Sequence, residues 1–89
     1  MSNKIVIYTS PTCSPCRNLK PILFDRSKER GFKLEIIELS EETRPKFIEK
    51  GIRAVPVTIL VDENECEIGR VNGGMSLSKL KEQLEAWDL

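Results

Sequence analysis

The fold of this chain is decided by Lys4-Ile5-Val6-Ile7-Tyr8-Thr9-Ser10-Pro11-Thr12-Cys13-Ser14-Pro15-Cys16. Lys4–Thr9 is a short β-branched and aromatic run, the composition of a strand. Ser10-Pro11-Thr12 breaks it, and a helical pattern follows from about Cys13 to Arg30. Leu19, Ile22 and Leu23 form its apolar stripe, Phe24 sits beside it, and Gly31 is a natural stop. Pro21 lies inside this pattern without an amide hydrogen, so a kink is expected. Two cysteines thus fall where a strand hands over to a helix.

Outward from that unit, Phe32–Leu39 places Leu34 and Ile36 on one face and Ile37 and Leu39 on the other. That pattern suits a strand covered on both sides. Ser40 or Thr43 is a candidate cap for a short helix carrying Phe47 and Ile48, with Pro45 in the first turn and Gly51 ending it. Val57–Val61 is almost wholly apolar and reads as a central strand. The polar turn Asp62-Glu63-Asn64-Glu65 leads back into Glu67–Val71 as an antiparallel partner. Leu77, Leu80, Leu84 and Trp87 recur at helical spacing in a last helix that Ser76 can cap. The order is βαβαββα, and a four-stranded mixed sheet flanked by three helices satisfies its connections. Residues 1–89 read as a single domain, without repeats or linkers.

Composition narrows the chemistry. Fourteen basic and fourteen acidic side chains cancel, which gives no electrostatic reason to expect a nucleic acid or an anionic membrane as partner. The absence of histidine removes Cys-His and Ser-His-Asp catalysis and every His-containing metal site. Three cysteines are too few for a secreted disulfide scaffold. Met1-Ser2-Asn3-Lys4 runs straight into the apolar segment, which is too short for a signal peptide or a membrane span. A cytoplasmic protein is therefore expected, in a compartment where thiols are kept reduced and a CxxC is a working site.

At the junction, unpaired amides and the positive end of the helix dipole favour a thiolate, so Cys13 is the acidified thiol. Pro15 restricts the turn between the cysteines, and Arg17 and Lys20 add positive charge nearby. Thiol–disulfide exchange assigns roles: Cys13 attacks a substrate disulfide, and Cys16, further into the helix, resolves the mixed disulfide. Competing readings of the pair are half of a zinc site, an iron–sulfur site shared between protomers, and a relic in a binding fold. Zinc wants four ligands, and only Cys66 and carboxylates remain, so no metal is expected.

The sequence resembles the thioredoxin and glutaredoxin superfamily. Cys13-Ser14-Pro15-Cys16-Arg17-Asn18-Leu19-Lys20-Pro21-Ile22-Leu23 is similar to the thioredoxin active-site segment. Gly51-Ile52-Arg53-Ala54-Val55-Pro56-Val57-Thr58 is similar to the second family signature, and Gly73-Gly74 to the family's ending. The resemblance implies a thioredoxin-like fold, Cys13 as nucleophile, Cys16 as resolving thiol and Pro56 as a cis-proline opposite them. It implies also that the Val55 backbone holds an extended substrate, with Thr12, Pro15, Pro56, Gly73 and Gly74 around it and Arg17 in support. Without the resemblance, a trans Pro56 starting a strand is equally compatible with the sequence.

Departures from the family are informative. Thr12 stands where thioredoxins usually carry tryptophan, and Ile7 where they carry the buried aspartate that serves the resolving thiol. The strand and helix that open a full-length thioredoxin are absent before Lys4, which gives glutaredoxin size. Glutaredoxins hold glutathione with a basic residue just before the CxxC and an acidic one after the paired glycines. Here Ser10-Pro11-Thr12 has no base, and Met75-Ser76 follows Gly74. The expectation is a small monomeric dithiol–disulfide oxidoreductase that reduces protein disulfides. It needs no bound cofactor, and its external reductant is either thioredoxin reductase with NADPH or glutathione. A glutaredoxin-like donor to an enzyme such as ribonucleotide reductase and a non-catalytic binding subunit are the alternatives. Cys66 reads as a small filler with a regulatory thiol as second option, Trp87 as helix packing, and Tyr8 as a sheet residue.

Overall fold

In the computed structural model, which describes residues 3–89, the opening strand is β1 (Lys4–Thr9). Expectations resting on Met1 and Ser2 lie outside the described residues. After β1 come α1 (Ser14–Arg30), β2 (Lys33–Glu38), α2 (Arg44–Glu49), β3 (Val57–Val61), β4 (Glu67–Asn72) and α3 (Leu77–Ala86). The strands form one sheet in the order β2-β1-β3-β4. β1 runs parallel to β2, with Ile7 beside Ile36, and antiparallel to β3, with Ile7 beside Thr58. This is the mixed four-stranded sheet with three helices that the element order requires.

The sheet has two apolar faces because β1 and β3 are apolar at nearly every position. Odd residues of β1, Ile5 and Ile7, pack with Leu19 and Leu23 of α1, Leu60 of β3, and Leu80 and Leu84 of α3. Even residues, Val6 and Tyr8, pack with Ile37, Ile59, Val61 and Phe47 of α2 on the other side. Tyr8 and Phe47 meet edge to face, with ring centroids 5.0 Å apart. Burial holds the Tyr8 hydroxyl above its ordinary pKa of 10.0, with nearby Glu35 adding to the effect. Each fully buried aliphatic side chain contributes about 1.5–3 kcal/mol, so these two stripes fix the register.

Ends of the elements follow local chemistry. Gly31 stops α1 with φ 74° and donates its N–H to Ser27 O at 2.8 Å, a conformation that costs glycine nothing. The helix runs unbroken through Pro21. Ser76 caps α3, its Oγ accepting the Lys79 N–H at 3.2 Å.

Several expectations are corrected. β2 is an edge strand with one neighbour, and Ile36 is 45% exposed, so it is not covered on both faces. Neither Ser40 nor Thr43 caps α2 by its side chain; Thr43 Oγ1 instead donates to Glu38 O at 2.6 Å and ties the loop to β2. Leu77, placed in the apolar stripe of α3, is 52% exposed, because it lines an open surface groove with Ile22, Asp25 and Arg26 of α1 instead of the closed core. Cys66 is exposed in the β3–β4 turn and fills no core space. β4 extends to Asn72, and its pairing with β3 is irregular between Leu60 and Val61.

Trp87 packs against the α1–α3 core and lies over Gly69 of β4. A methyl group at residue 69 would stand 2.9 Å from Trp87 Nε1. Gly69→Ala is therefore expected to destabilise the protein by about 1–3 kcal/mol, the usual cost of overpacking. Urea unfolding measures it, and an unchanged midpoint would mean the indole moves aside freely.

A surface pair supplies a pH-dependent term. Arg70 donates to both Glu67 oxygens at 2.8 Å and holds that carboxyl below its ordinary value of 4.5, chiefly through these hydrogen bonds. Because the folded value is depressed, the contribution is present above pH 4.5 and is lost as pH falls through the folded value. For a partly exposed pair it amounts to about 0.2–1 kcal/mol. Glu67→Gln should thus be slightly less stable than the parent at pH 7 and equal to it near pH 2.

Candidate active site

All elements that present the cysteine pair meet at one end of the sheet: the C-termini of β1, β2 and β4, and the N-termini of β3, α1 and α3. Cys13 is the N-cap of α1, with extended φ/ψ of −89° and 105°. Its Sγ accepts the Cys16 N–H at 3.2 Å. Pro15 has no amide hydrogen, so the Cys16 N–H is the donor that the first turn can offer this sulfur. The two cysteines are joined as a disulfide with S–S 2.10 Å and Cα atoms 5.3 Å apart.

Burial separates the two sulfur-bearing residues. Cys13 is 7% exposed, whereas Cys16 is fully buried in the first turn of α1. An incoming partner therefore reaches Cys13 first. Once reduced, Cys13 keeps the helix-start amide and the helix dipole, both of which favour its thiolate. Arg17 is exposed and Lys20 half-buried, so their charges act through solvent and count for little.

The second signature folds against the first. The Val55–Pro56 peptide is cis. Pro56 O accepts the Gly73 N–H at 2.8 Å, and Gly73 reaches this position with φ 92°. The next residue, Gly74, comes so near Pro15 that a Cβ there would sit 3.0 Å from Pro15 Cβ. A chain of contacts thus links Pro56, Gly73, Gly74 and Pro15 around the disulfide. Thr12 is exposed on the loop before Cys13, and its hydroxyl lies 3.5 Å from Ser10 Oγ. Tyr8 belongs to the opposite face and does not line the site.

Beside the site runs an open groove of about 300 Å³. Leu39, Phe47 and Ile52 line its apolar part, Ser10 and Val55 its margin next to the disulfide, and Arg53 another edge. This groove escaped sequence reading, because its residues come from three loops and α2. Ile48, next to the buried Phe47 on this short helix, is 71% exposed at the groove's rim.

Two hydroxyls under the site were also missed. Thr9 and Thr58 are fully buried, and neither Oγ1 has a hydrogen-bond partner. Among the described residues no group of three or more Cys, Asp or Glu side chains is arranged to hold a metal ion. Cys66 lies in the β3–β4 turn, at the end of the sheet away from the pair. No helix among the described residues is long and apolar enough to cross a membrane.

Comparison with known proteins agrees with this geometry. The thioredoxin family profile matches residues 1–86. The chain is 31% identical over 84 residues to chloroplastic thioredoxin M-type of Pisum sativum, covering 93% of this chain and 48% of that protein. It is 29% identical over 86 residues to thioredoxin of Pseudomonas aeruginosa, covering 92% of this chain and 76% of that protein. Its fold superposes on Chlamydomonas reinhardtii thioredoxin f2 with a TM-score of 0.83 at 18% identity, covering 97% of this chain and 79% of that one. It therefore spans about half the length of the pea relative and about four-fifths of the superposed structure. On the match along nearly its whole length, with the cysteine pair at the start of α1, the chain belongs to the thioredoxin family.

Proposed function

We propose that this chain is a thiol–disulfide oxidoreductase of the thioredoxin type, reducing disulfides in other proteins. The observation that carries this reading is the burial difference within the cysteine pair: Cys13 reachable at the helix start, Cys16 fully enclosed behind it. Cys13 attacks the substrate disulfide as thiolate, forming a mixed disulfide and releasing the other substrate sulfur. Cys16 then attacks Cys13 Sγ, the Cys13–Cys16 bond forms, and the electron pair of the broken bond leaves with the substrate sulfur, which takes a proton. Val55 and the groove beside it seat an extended substrate segment, with Thr12, Pro15, Pro56, Gly73 and Gly74 as the collar around the sulfurs.

The electron donor is a flavin-dependent thioredoxin reductase drawing on NADPH, rather than glutathione. Two features support that choice. Ser10-Pro11-Thr12 brings no cation to the edge of the site, and Ser76 Oγ is engaged in capping α3. The protein acts as a monomer in the cytoplasm.

Insulin-disulfide reduction driven by dithiothreitol tests the activity, and coupling to NADPH with thioredoxin reductase tests the donor. Turnover is expected with the reductase and little with glutathione and glutathione reductase. Efficient recycling by glutathione alone would overturn the choice of donor while leaving the reductase activity in place.

A further inference from the structure

The buried threonines are the feature the fold does not explain. A buried hydroxyl without a partner costs about 1–3 kcal/mol, and two in one small core are expensive to keep. They are also not scattered. Thr9 follows Ile5 and Ile7 on the β1 face that carries α1, and Thr58 pairs with Ile7 across β1 and β3. Cross-strand partners point to the same side of a sheet, so both hydroxyl-bearing residues lie on the α1 side.

Position along that face brings them to Cys16. The buried residues of α1 are Cys16, Leu19 and Leu23, one stripe at helical spacing. Leu19 and Leu23 pack with Ile5 and Ile7. The helix runs back along the strand, so the stripe continues with Cys16 over the end of β1, where Thr9 stands. Lengths agree: Leu23 to Cys16 covers about 10 Å of helix, and Ile5 to Thr9 about 13 Å of strand. Thr58 lies one step deeper, diagonal to Thr9.

We propose that Thr9 and Thr58 are hydroxyl donors held for the sulfur of Cys16 in the reduced protein, where they stabilise its thiolate. This deepens the proposed reductase chemistry and rests on it. In the disulfide state Cys16 Sγ is bonded to Cys13 and is a poor acceptor, which accounts for the orphaned hydroxyls. On reduction the disulfide gains two electrons and two protons from the external dithiol. Cys16 then carries a thiol that must lose its proton to solvent before it can attack Cys13 Sγ in a mixed disulfide. Two donors facing the resulting thiolate favour that ionisation without themselves acting as base.

Among the described residues, the side chains that line the rest of this face near β1, β3 and α3 are aliphatic. β1 presents Ile5 and Ile7, β3 presents Leu60, α3 presents Leu80 and Leu84, and the loop before α3 presents Met75, none of which titrates. Among the described residues Cys13 is the titratable partner of Cys16, and of the cations in the first two turns of α1, Arg17 is exposed and Lys20 half-buried. Thr9 and Thr58 are therefore positioning residues for the resolving step.

The test uses Thr9→Val and Thr58→Val, singly and together, which keep shape and remove the hydroxyls. A mixed disulfide is formed at Cys13 with a thionitrobenzoate group, and its resolution by Cys16 is followed by stopped flow across pH. Each substitution is expected to slow resolution at pH 7 by about tenfold and to move the pH profile upward, as for a hydrogen bond to a charged group. Thr→Ser at either position should restore most of the rate. At a pH high enough to ionise Cys16 in the reduced parent, the equilibrium with glutathione should also shift towards the disulfide, because the Cys16 thiolate alone loses the donors. Unchanged pH profiles and unchanged equilibrium in the folded Val variants would overturn the proposal. Attack of Cys13 on the reagent should be unaffected throughout, so a loss at that earlier step would count against the reductase reading instead.

Discussion

Cys13→Ser is expected to lower insulin reduction to the rate of dithiothreitol alone. Serine at the N-cap keeps the helix, since its oxygen caps as well as any residue. What disappears is the nucleophile: a hydroxyl is not ionised near neutrality and no histidine exists in the chain to activate it. Cys16 cannot substitute, because it is fully buried behind Cys13. Cys66→Ser, by contrast, should leave the rate unchanged, since that thiol sits exposed in the β3–β4 turn. Residual turnover in Cys13→Ser that disappears on removing Cys66 would place the chemistry at the wrong end of the sheet.

The second large effect is on stability. Ile7→Asp restores the acid that thioredoxins carry here, and it is expected to destabilise this chain by about 3–5 kcal/mol at pH 7, as for an uncompensated buried charge. Ile7 is fully buried between Ile5, Leu19 and Leu60, and Thr58 beside it offers one neutral donor. Burial raises the pKa of such a carboxyl above its unfolded value of about 3.9. The loss is therefore full above the raised folded value and shrinks as pH falls towards the unfolded one, where both states are protonated. Chemical unfolding at pH 7 and pH 4 measures both halves. A variant as stable as the parent at pH 7 would mean that water or a cation reaches this layer.

How legible the molecule was in its sequence varied with the kind of signal. The strand-to-helix junction, the CxxC and the glycine stop at residue 31 are local chemistry, and the structure has them where the residues put them. Apolar periodicity located β1 and β3 correctly, since both are covered on two faces. The same periodicity misled at β2, where alternating apolar residues say nothing of how many neighbours a strand has. It misled also at Leu77, whose helical spacing is right but which lies in an open groove beside α1. Pro56 was open between cis and trans on its own residues; only the family resemblance favoured the cis form, which the structure has.

Two features of the site had no sequence signal that differs from ordinary strand composition. Threonine is common in strands, so Thr9 and Thr58 read as pleated-sheet residues. Only their shared face and missing partners mark them. The approach of Gly74 to Pro15 is likewise a tertiary contact between segments 59 residues apart.

The central claim is that Cys13 attacks and Cys16 resolves. It is tested most directly by incubating Cys16→Ser with a disulfide-bonded protein such as oxidised insulin and locating the adduct by peptide mass spectrometry. The expected result is a stable mixed disulfide on Cys13 that does not form with Cys13→Ser. Adduct on Cys66, or none on Cys13 while the parent protein turns over, would contradict it.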